Sequence, residues 1–289
     1  MTLHGVDVSS YQGPIDFDVL ATKVNFIYIR ACYAKSPDPY LERNVTEAKR
    51  VGIPYGLYFF PLPVNQTAFK VQAQIHTDIL KEYGSQLFPA WDLESDGGMD
   101  KNDTGNWMEK YAKWFLELSG IEKLEKIMTY TSAGWFNGQM PLTNTFWRTR
   151  LWLADWTPPP NAPYEWSNHS KPWVIWQTGI HKPATDYGCP PPPAAAHGID
   201  VNTFYGDEAQ FKALFGVEPH KTTDPLPPPL PDFVRVSVAN ANIRAAPKVE
   251  PLTDVGDLAL GAKLPVTGQS GEWWEVGPLY VHKTVAKPE

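Results

Sequence analysis

The chain has 289 residues, 43% hydrophobic and 20% charged, too long for one small domain but suited to a barrel-sized domain with a small companion. A formal net charge of −7 offers no basic stripe for a nucleic-acid backbone. No run approaches the roughly 20 apolar residues that a membrane-spanning helix needs, so nucleic-acid binding and membrane insertion are not expected, and nothing predicts an oligomer.

The opening MTLHGVDVSS has neither a charged n-region nor an apolar h-region, so no signal peptide is read there. The expectation is cytoplasmic synthesis with later release, or secretion after a signal has been trimmed. Short β-rich runs then recur, giving strands at His4–Val8, Phe26–Ala31, Tyr55–Phe60, Phe88–Leu93, Lys126–Tyr130, Arg150–Ala154, Trp173–Gln177 and Gly198–Val201. Most are almost continuously apolar, as parallel strands covered by helices are.

Between them, Gln66–Tyr83 has helical spacing and stops at Gly84, while Asn106–Ser119 carries Trp107, Tyr111, Trp114, Phe115 and Leu118 on one stripe closed by Gly120. That stripe reads as core packing. Asp207 suits the N-cap of a last helix ending at Phe215 and Gly216. Eight strands alternating with helices over residues 1–216 predict an α/β fold, a (β/α)8 TIM-like barrel. The later connections are short, so the barrel should be irregular. Its active site should lie at the C-terminal ends of the strands.

Residues 217–232, VEPHKTTDPLPPPLPD, read as a proline-rich linker. Residues 233–289 alternate apolar and polar residues in short runs and predict a second, small all-β barrel domain. The two cysteines, Cys32 and Cys189, read as buried thiols without metal-ligand spacing, and no metal or cofactor is expected. There is no Gly-rich phosphate loop, no GxSxG elbow and no zinc-peptidase helix.

Four acids fall at strand ends: Asp7 at the first, Asp92 and Glu94 at the fourth, Asp200 at the eighth. Asp92 and Glu94, two apart on a strand, point to one side with bases roughly 7 Å apart. Close carboxylates repel, which raises the pKa of one of them, and glycosidic cleavage needs a protonated acid beside an ionised partner. Such pairs are common on strands, so the spacing alone does not single out catalysis. Twelve Trp residues and a 13% aromatic content serve either cores or sugar stacking. Near the rim, Tyr58, Phe60, Tyr130, Trp135 and Trp156 are candidate substrate platforms and Gln177 a polar contact, with Tyr33 and Asn202 ranked below them.

The motifs GVDVSSYQG, YGLYFF, FPAWDLES, VIWQTG and GIDVNTF, in that order, resemble glycoside hydrolase family 25, the muramidases of the Chalaropsis type and phage endolysins. The resemblance covers essentially the whole first domain. It implies a retaining hydrolase of the β-1,4 bond between N-acetylmuramic acid and N-acetylglucosamine in bacterial peptidoglycan, assisted by the substrate's own acetamido group. Glu94 then matches the general acid, Asp92 the carboxylate that orients the acetamido group, and Asp7 and Asp200 two further acids lining the site. A silent glycan-binding protein and a chitin-type glycosidase on the same fold are the alternatives.

The loop 182–197, with CPPPPAAAH, departs from the family pattern and would wall the groove or touch the second domain. In that domain ANANIRAAP, VGDLALGAKLPVTG, EWWEV and LYVHKTV resemble a bacterial SH3-type, wall-binding module. Trp273 and Trp274 are adjacent and face opposite sides of a strand, so one should pack the core and the other should be free for ligand.

Overall fold

The computed structural model describes residues 3–65, 67–141, 145–157, 160–167, 173–193, 195–223, 233–246, 248–249, 253–266, 268–270 and 272–288. Most of the proline-rich linker, 224–232, lies outside them. The first domain is built on β1 (Leu3–Val8), β2 (Phe26–Tyr33), β3 (Ser36–Pro37), β4 (Tyr55–Phe60), β5 (Ala90–Asp92), β6 (Met128–Thr131), β7 (Arg150–Ala154), β8 (Ile175–His181) and β9 (Ile199–Phe204). Neighbours run β1-β9-β8-β7-β6-β5-β4-β2, and β2 pairs back onto β1, so eight strands close a barrel. β3 is a short hairpin return on β2.

Each expected strand has an observed counterpart, but the last one corrects the parallel reading. β9 runs antiparallel to both of its neighbours, β1 and β8. A parallel return needs a crossover of a dozen or more residues, usually a helix, to carry the chain to the far end. Among the described residues of 182–198 the only helix is a 3-10 turn at Ala184–Tyr187. The chain therefore re-enters the sheet from the rim it has just left.

Around the barrel lie α1 (Phe17–Lys23), α2 (Leu41–Val51), α3 (Ala68–Tyr83), α4 (Lys101–Ser119), α5 (Ala133–Gln139), α6 (Tyr164–Ser167) and α7 (Glu208–Phe215). α4 starts five residues before the expected Asn106. Asp100 caps it by accepting from Asn102 N and Asp103 N, and Gly105, which argues against helix in a sequence reading, is needed for packing. A Cβ there would stand 2.4 Å from Pro141 Cδ. The stripe on α4 packs as core, with Trp107, Tyr111 and Phe115 buried and Trp91 of β5 set against Tyr111 and Phe115.

The barrel interior is filled from below. Phe211 and Phe215 of α7 pack with Phe204 at the end of β9 and reach Phe26 at the start of β2 and Phe88 just before β5. Above them Tyr28 and Trp152 meet at 4.6 Å. Gly56 makes room for this layer, since a Cβ on it would come within 2.3 Å of the Tyr28 ring. The lower part of the interior is thus filled by aromatic rings, which leaves the opposite rim for polar side chains.

The barrel continues past the expected boundary at 216. Asn25 brackets His220, its carbonyl accepting from His220 N at 2.8 Å and its Nδ2 donating to His220 O at 2.8 Å. Residues 217–220 therefore belong to the barrel's base, not to the linker.

The C-terminal part is antiparallel β throughout: β10 (Phe233–Val236), β11 (Ala241–Arg244), β12 (Asp254–Leu258), β13 (Lys263–Pro265), β14 (Gly268–Ser270), β15 (Trp273–Val276), β16 (Leu279–His282) and β17 (Ala286–Pro288). They form one sheet β13-β10-β17 and another β12-β11-β16-β15-β14 around Val234, Trp274, Val281 and Ala286.

Candidate active site

Four carboxylates meet at the polar rim. Asp7, next to last in β1, faces Asp200 across the antiparallel ladder with β9. Asp92 ends β5 beside Tyr130 of β6. Leu93 then donates its N–H to Tyr130 O at 2.8 Å, and its own carbonyl accepts from Thr131 Oγ1 at 2.8 Å. That clamp keeps the chain extended through Glu94, so Glu94 turns to the side that Asp92 faces.

Asp200 reaches this rim because β9 is reversed. In an eighth parallel strand its position, near the start, would have put it at the barrel's aromatic base. The expected convergence therefore holds, through a topology opposite to the one that suggested it.

Asp7 is buried, and its Oδ2 accepts from Asn202 Nδ2 at 2.8 Å and Gln177 Nε2 at 3.1 Å. Both amides are locked in orientation. Asn202 Oδ1 accepts from Trp152 Nε1 at 2.7 Å, while Gln177 Oε1 accepts from Tyr130 Oη at 3.0 Å and Trp156 Nε1 at 3.2 Å. With their oxygens engaged by indole and phenol donors, the amides present only N–H to Asp7. Burial lifts the Asp7 pKa to about 6, and the two amide donors oppose that rise by favouring the anion.

The other three acids feel this arrangement. Burial and the charges of Asp7 and Glu94 push Asp200 up to about 8. Asp92 is raised well above the usual carboxylate range, first by burial and then by Glu94, Asp7 and Asp200. Its Oδ1 is buried with no hydrogen-bond partner among the described residues, which further disfavours the charged form. Glu94 stands open to solvent in the mouth of the cleft, yet crowding by the rim and the charge of Asp7 still raise its pKa. Arg30 is the cation that opposes the rise at Asp92, and it is itself held by Asp38, with its Nε 2.8 Å from Asp38 Oδ2.

The aromatic candidates separate. Trp156 is 56% exposed with its indole N–H fixed on Gln177, so its face is open at the rim. Tyr130 is half-buried and edge-on to Trp152. Tyr58 is only 8% exposed, wedged edge-on against Trp152, so the expectation of a stacking platform is corrected: its face is covered. Phe60 packs at a tilt against exposed Tyr33, with ring centres 4.7 Å apart. Trp135 lies on α5, half-buried and packed against the core, apart from the hydrogen-bonded network.

Three contributors escaped the sequence reading or were ranked low in it. Trp152 and Asn202 orient Asp7, and the Asp200-x-Asn202 spacing, which sets both on one strand face, was the available signal. Tyr11, 63% exposed, has the Arg30 guanidinium 4.9 Å from its ring centre. In the second domain, the expectation of one free Trp is corrected. Both rings are 8% exposed, with Trp274 donating to Ala286 O at 3.0 Å and Trp273 edge-on to His282 at 4.8 Å.

Residues 6–183 match the family model for glycosyl hydrolases family 25, a stretch that holds Asp7, Asp92 and Glu94 and ends before Asp200. The uncharacterized protein YegX of Escherichia coli O157:H7 is 25% identical over 221 residues, covering 74% of this chain and 73% of that protein. Among solved structures, a family 25 glycosyl hydrolase from Bacillus anthracis superposes with a TM-score of 0.58 at 22% identity, over 73% of this chain and 92% of that one. A muramidase from Trichobolus zukalii gives 0.57 at 23% identity, over 74% and 100%.

Proposed function

The chain belongs to glycosyl hydrolases family 25, and we propose that it is a peptidoglycan N-acetylmuramidase cutting the β-1,4 bond between N-acetylmuramic acid and N-acetylglucosamine. The observation that carries this reading is the unequal treatment of clustered acids. Asp7 is given two oriented amide donors and serves as the fixed anion. Glu94, at the solvent-facing edge of the cluster and raised in pKa first by burial and then by that anion, is the acid able to hand a proton to a glycosidic oxygen.

Asp92, beside Glu94, orients the acetamido group of the sugar so that its oxygen attacks the anomeric carbon, and the configuration is retained after water opens the resulting ring. Asp200 and Asp7 line the pocket and set its charge. Trp156 supplies the stacking face, Gln177, buried and held by Tyr130, fixes its indole N–H, and the half-buried Tyr130 contacts sugar hydroxyls. Phe60 borders the cleft beside Tyr33.

The C-terminal strands are read as an SH3-type module that holds the enzyme on an insoluble wall, where tethering raises the local concentration of catalyst. With both tryptophans packed, its ligand surface uses other residues. A chain of this kind acts at the cell wall, after lysis or secretion, and no helix among the described residues is long and apolar enough to cross a membrane.

The test is product analysis of digested wall glycan. New reducing ends bearing muramic acid support the reading, whereas glucosamine ends point to a different glycosidase. Absence of any new ends, with wall binding intact, would make the barrel a binding protein.

A further inference from the structure

Between the two domains runs a groove of about 240 Å³, walled on the barrel side by the proline-rich loop and on the other by the β15–β16 hairpin. Lys182, Pro190, Pro192 and Ala196 face Glu275 and Tyr280 across it. β14 lies beside β8, which holds the hairpin against the barrel. The outer face of that hairpin is therefore turned to the loop. Trp273, Glu275, Tyr280 and His282 share this face through the pairs Trp273↔His282 and Glu275↔Tyr280.

One lining residue connects the groove to the strand that carries Asp200. Gly198 lines it and lies two residues before Asp200, roughly 7 Å along the chain. Its chemistry is not that of a sugar site. Proline rings and alanine methyls make much of its lining, and each wall carries one charge, Lys182 on the barrel and Glu275 on the module. A ligand that suits both is an extended chain of small residues carrying a carboxylate and an ammonium group. Tyr280 adds a phenol that stays protonated, because burial and the nearby Glu275 raise its pKa.

We propose that this groove holds the stem peptide of the wall strand whose glycan lies on the carboxylates. The proposal rests on the muramidase reading of the barrel. A muramic acid residue at the rim carries its peptide outward on the lactyl ether, and the alanines, free carboxylates and diamino acid of that peptide match the groove's small-residue walls and opposed charges. The second domain is then part of the substrate site as well as a tether, and the proline-rich loop is the wall that selects peptide-bearing strands.

Two measurements on the full chain test this. The first is calorimetric titration with a synthetic stem pentapeptide (alanine, γ-linked glutamate, lysine and two terminal alanines), which reads the groove whether or not the barrel cleaves glycan. Wild type should bind, and Ala196→Trp, filling the groove from an exposed position, should abolish binding. Glu275→Lys should weaken it roughly tenfold, the order of one lost charge-assisted contact. No binding at millimolar peptide, or equal binding by wild type and Ala196→Trp, overturns the proposal.

The second compares kcat/KM on wall glycan with its peptides intact and on glycan stripped of peptide by an amidase. Ala196→Trp should lower the first about tenfold and leave the second within twofold. Equal losses on both substrates overturn the proposal. Failure of wild type to cut either substrate sinks the muramidase reading and leaves the peptide titration to decide the groove.

Discussion

Asp7 and Asp200 stand directly opposite one another in the antiparallel ladder between β1 and β9, where facing Cα atoms are about 4.5–5.5 Å apart. Like charges in that position are destabilising. The fold resolves the conflict by asymmetry. Asp7 receives the amide donors of Asn202 and Gln177, and for Asp200 the largest influences are burial and the charge of Asp7. One carboxyl is built to be an anion, and its neighbour holds a proton at neutral pH.

A stability profile follows from that asymmetry. The folded pKa values of Asp7, about 6, and Asp200, about 8, lie above the unfolded value near 4, so the native state binds the extra protons. The stabilisation this gives is complete below pH of about 4 and is lost as pH rises through 6 and 8. Asp200→Asn removes the titration at the upper step. Its thermal midpoint should exceed that of wild type by a few degrees at pH 8.5, on the order of 1–3 kcal/mol, and the gap should close by about pH 4. A midpoint difference that does not change between pH 4 and 8.5 would show that Asp200 is not the buried proton holder.

In the proposed reading Glu94 is the acid, its pKa raised first by burial and then by the charge of Asp7. Glu94→Gln should cut kcat by at least about 10³-fold with wall binding retained, since the amide keeps the shape but delivers no proton. Asp92→Asn should also lose activity heavily. Asp7→Asn gives a sharper reading. Removing a neighbouring negative charge lowers the Glu94 pKa, so the alkaline limb of kcat/KM should move to lower pH. A limb that stays in place, or moves up, contradicts the assigned coupling.

The strands were legible because each is an apolar run bounded by turn residues, and Asp7, Asp92, Glu94 and Asp200 were legible as polar interruptions at their ends. What apolar runs do not encode is direction. β9 reads the same forwards or backwards, and its reversal is decided by the connection 182–198, which lacks a crossover helix. α4 was cut short because Gly105 opposes helix locally, while its reason, the close approach of Pro141, lies 36 residues away in sequence. The hydrogen-bond chain from Trp152 through Asn202 to Asp7 joins three strands that are far apart in sequence, so no local pattern announces it. The packing of Trp273 was missed for the same reason. Alternation says which face a residue takes and is silent on whether that face is covered.

Trp156 couples two roles that substitution can separate. Its exposed ring offers a stacking face, and its N–H helps lock Gln177 toward Asp7. Trp156→Ala should raise KM for soluble glycan fragments roughly tenfold, with a smaller effect on kcat. Trp156→Phe keeps a ring but drops the donor, so most of the KM defect should be recovered. If the phenylalanine variant is as defective as the alanine one, the hydrogen bond and not the stacking face is what matters.

The anchoring of His220 on Asn25 sets where the chain can be shortened. Ending it after residue 216 removes the two backbone-linked hydrogen bonds to Asn25 and leaves the polar atoms of Asn25 at the barrel base without those partners. Ending it after residue 223 keeps them. The longer barrel should melt several degrees above the shorter one, reflecting about 1–3 kcal/mol of unsatisfied polar groups. Removal of the second domain at residue 223 should weaken binding to whole walls far more than it slows cleavage of a short peptide-free glycan. Similar losses in both would mean that the second domain supports the barrel's fold and not its hold on the wall.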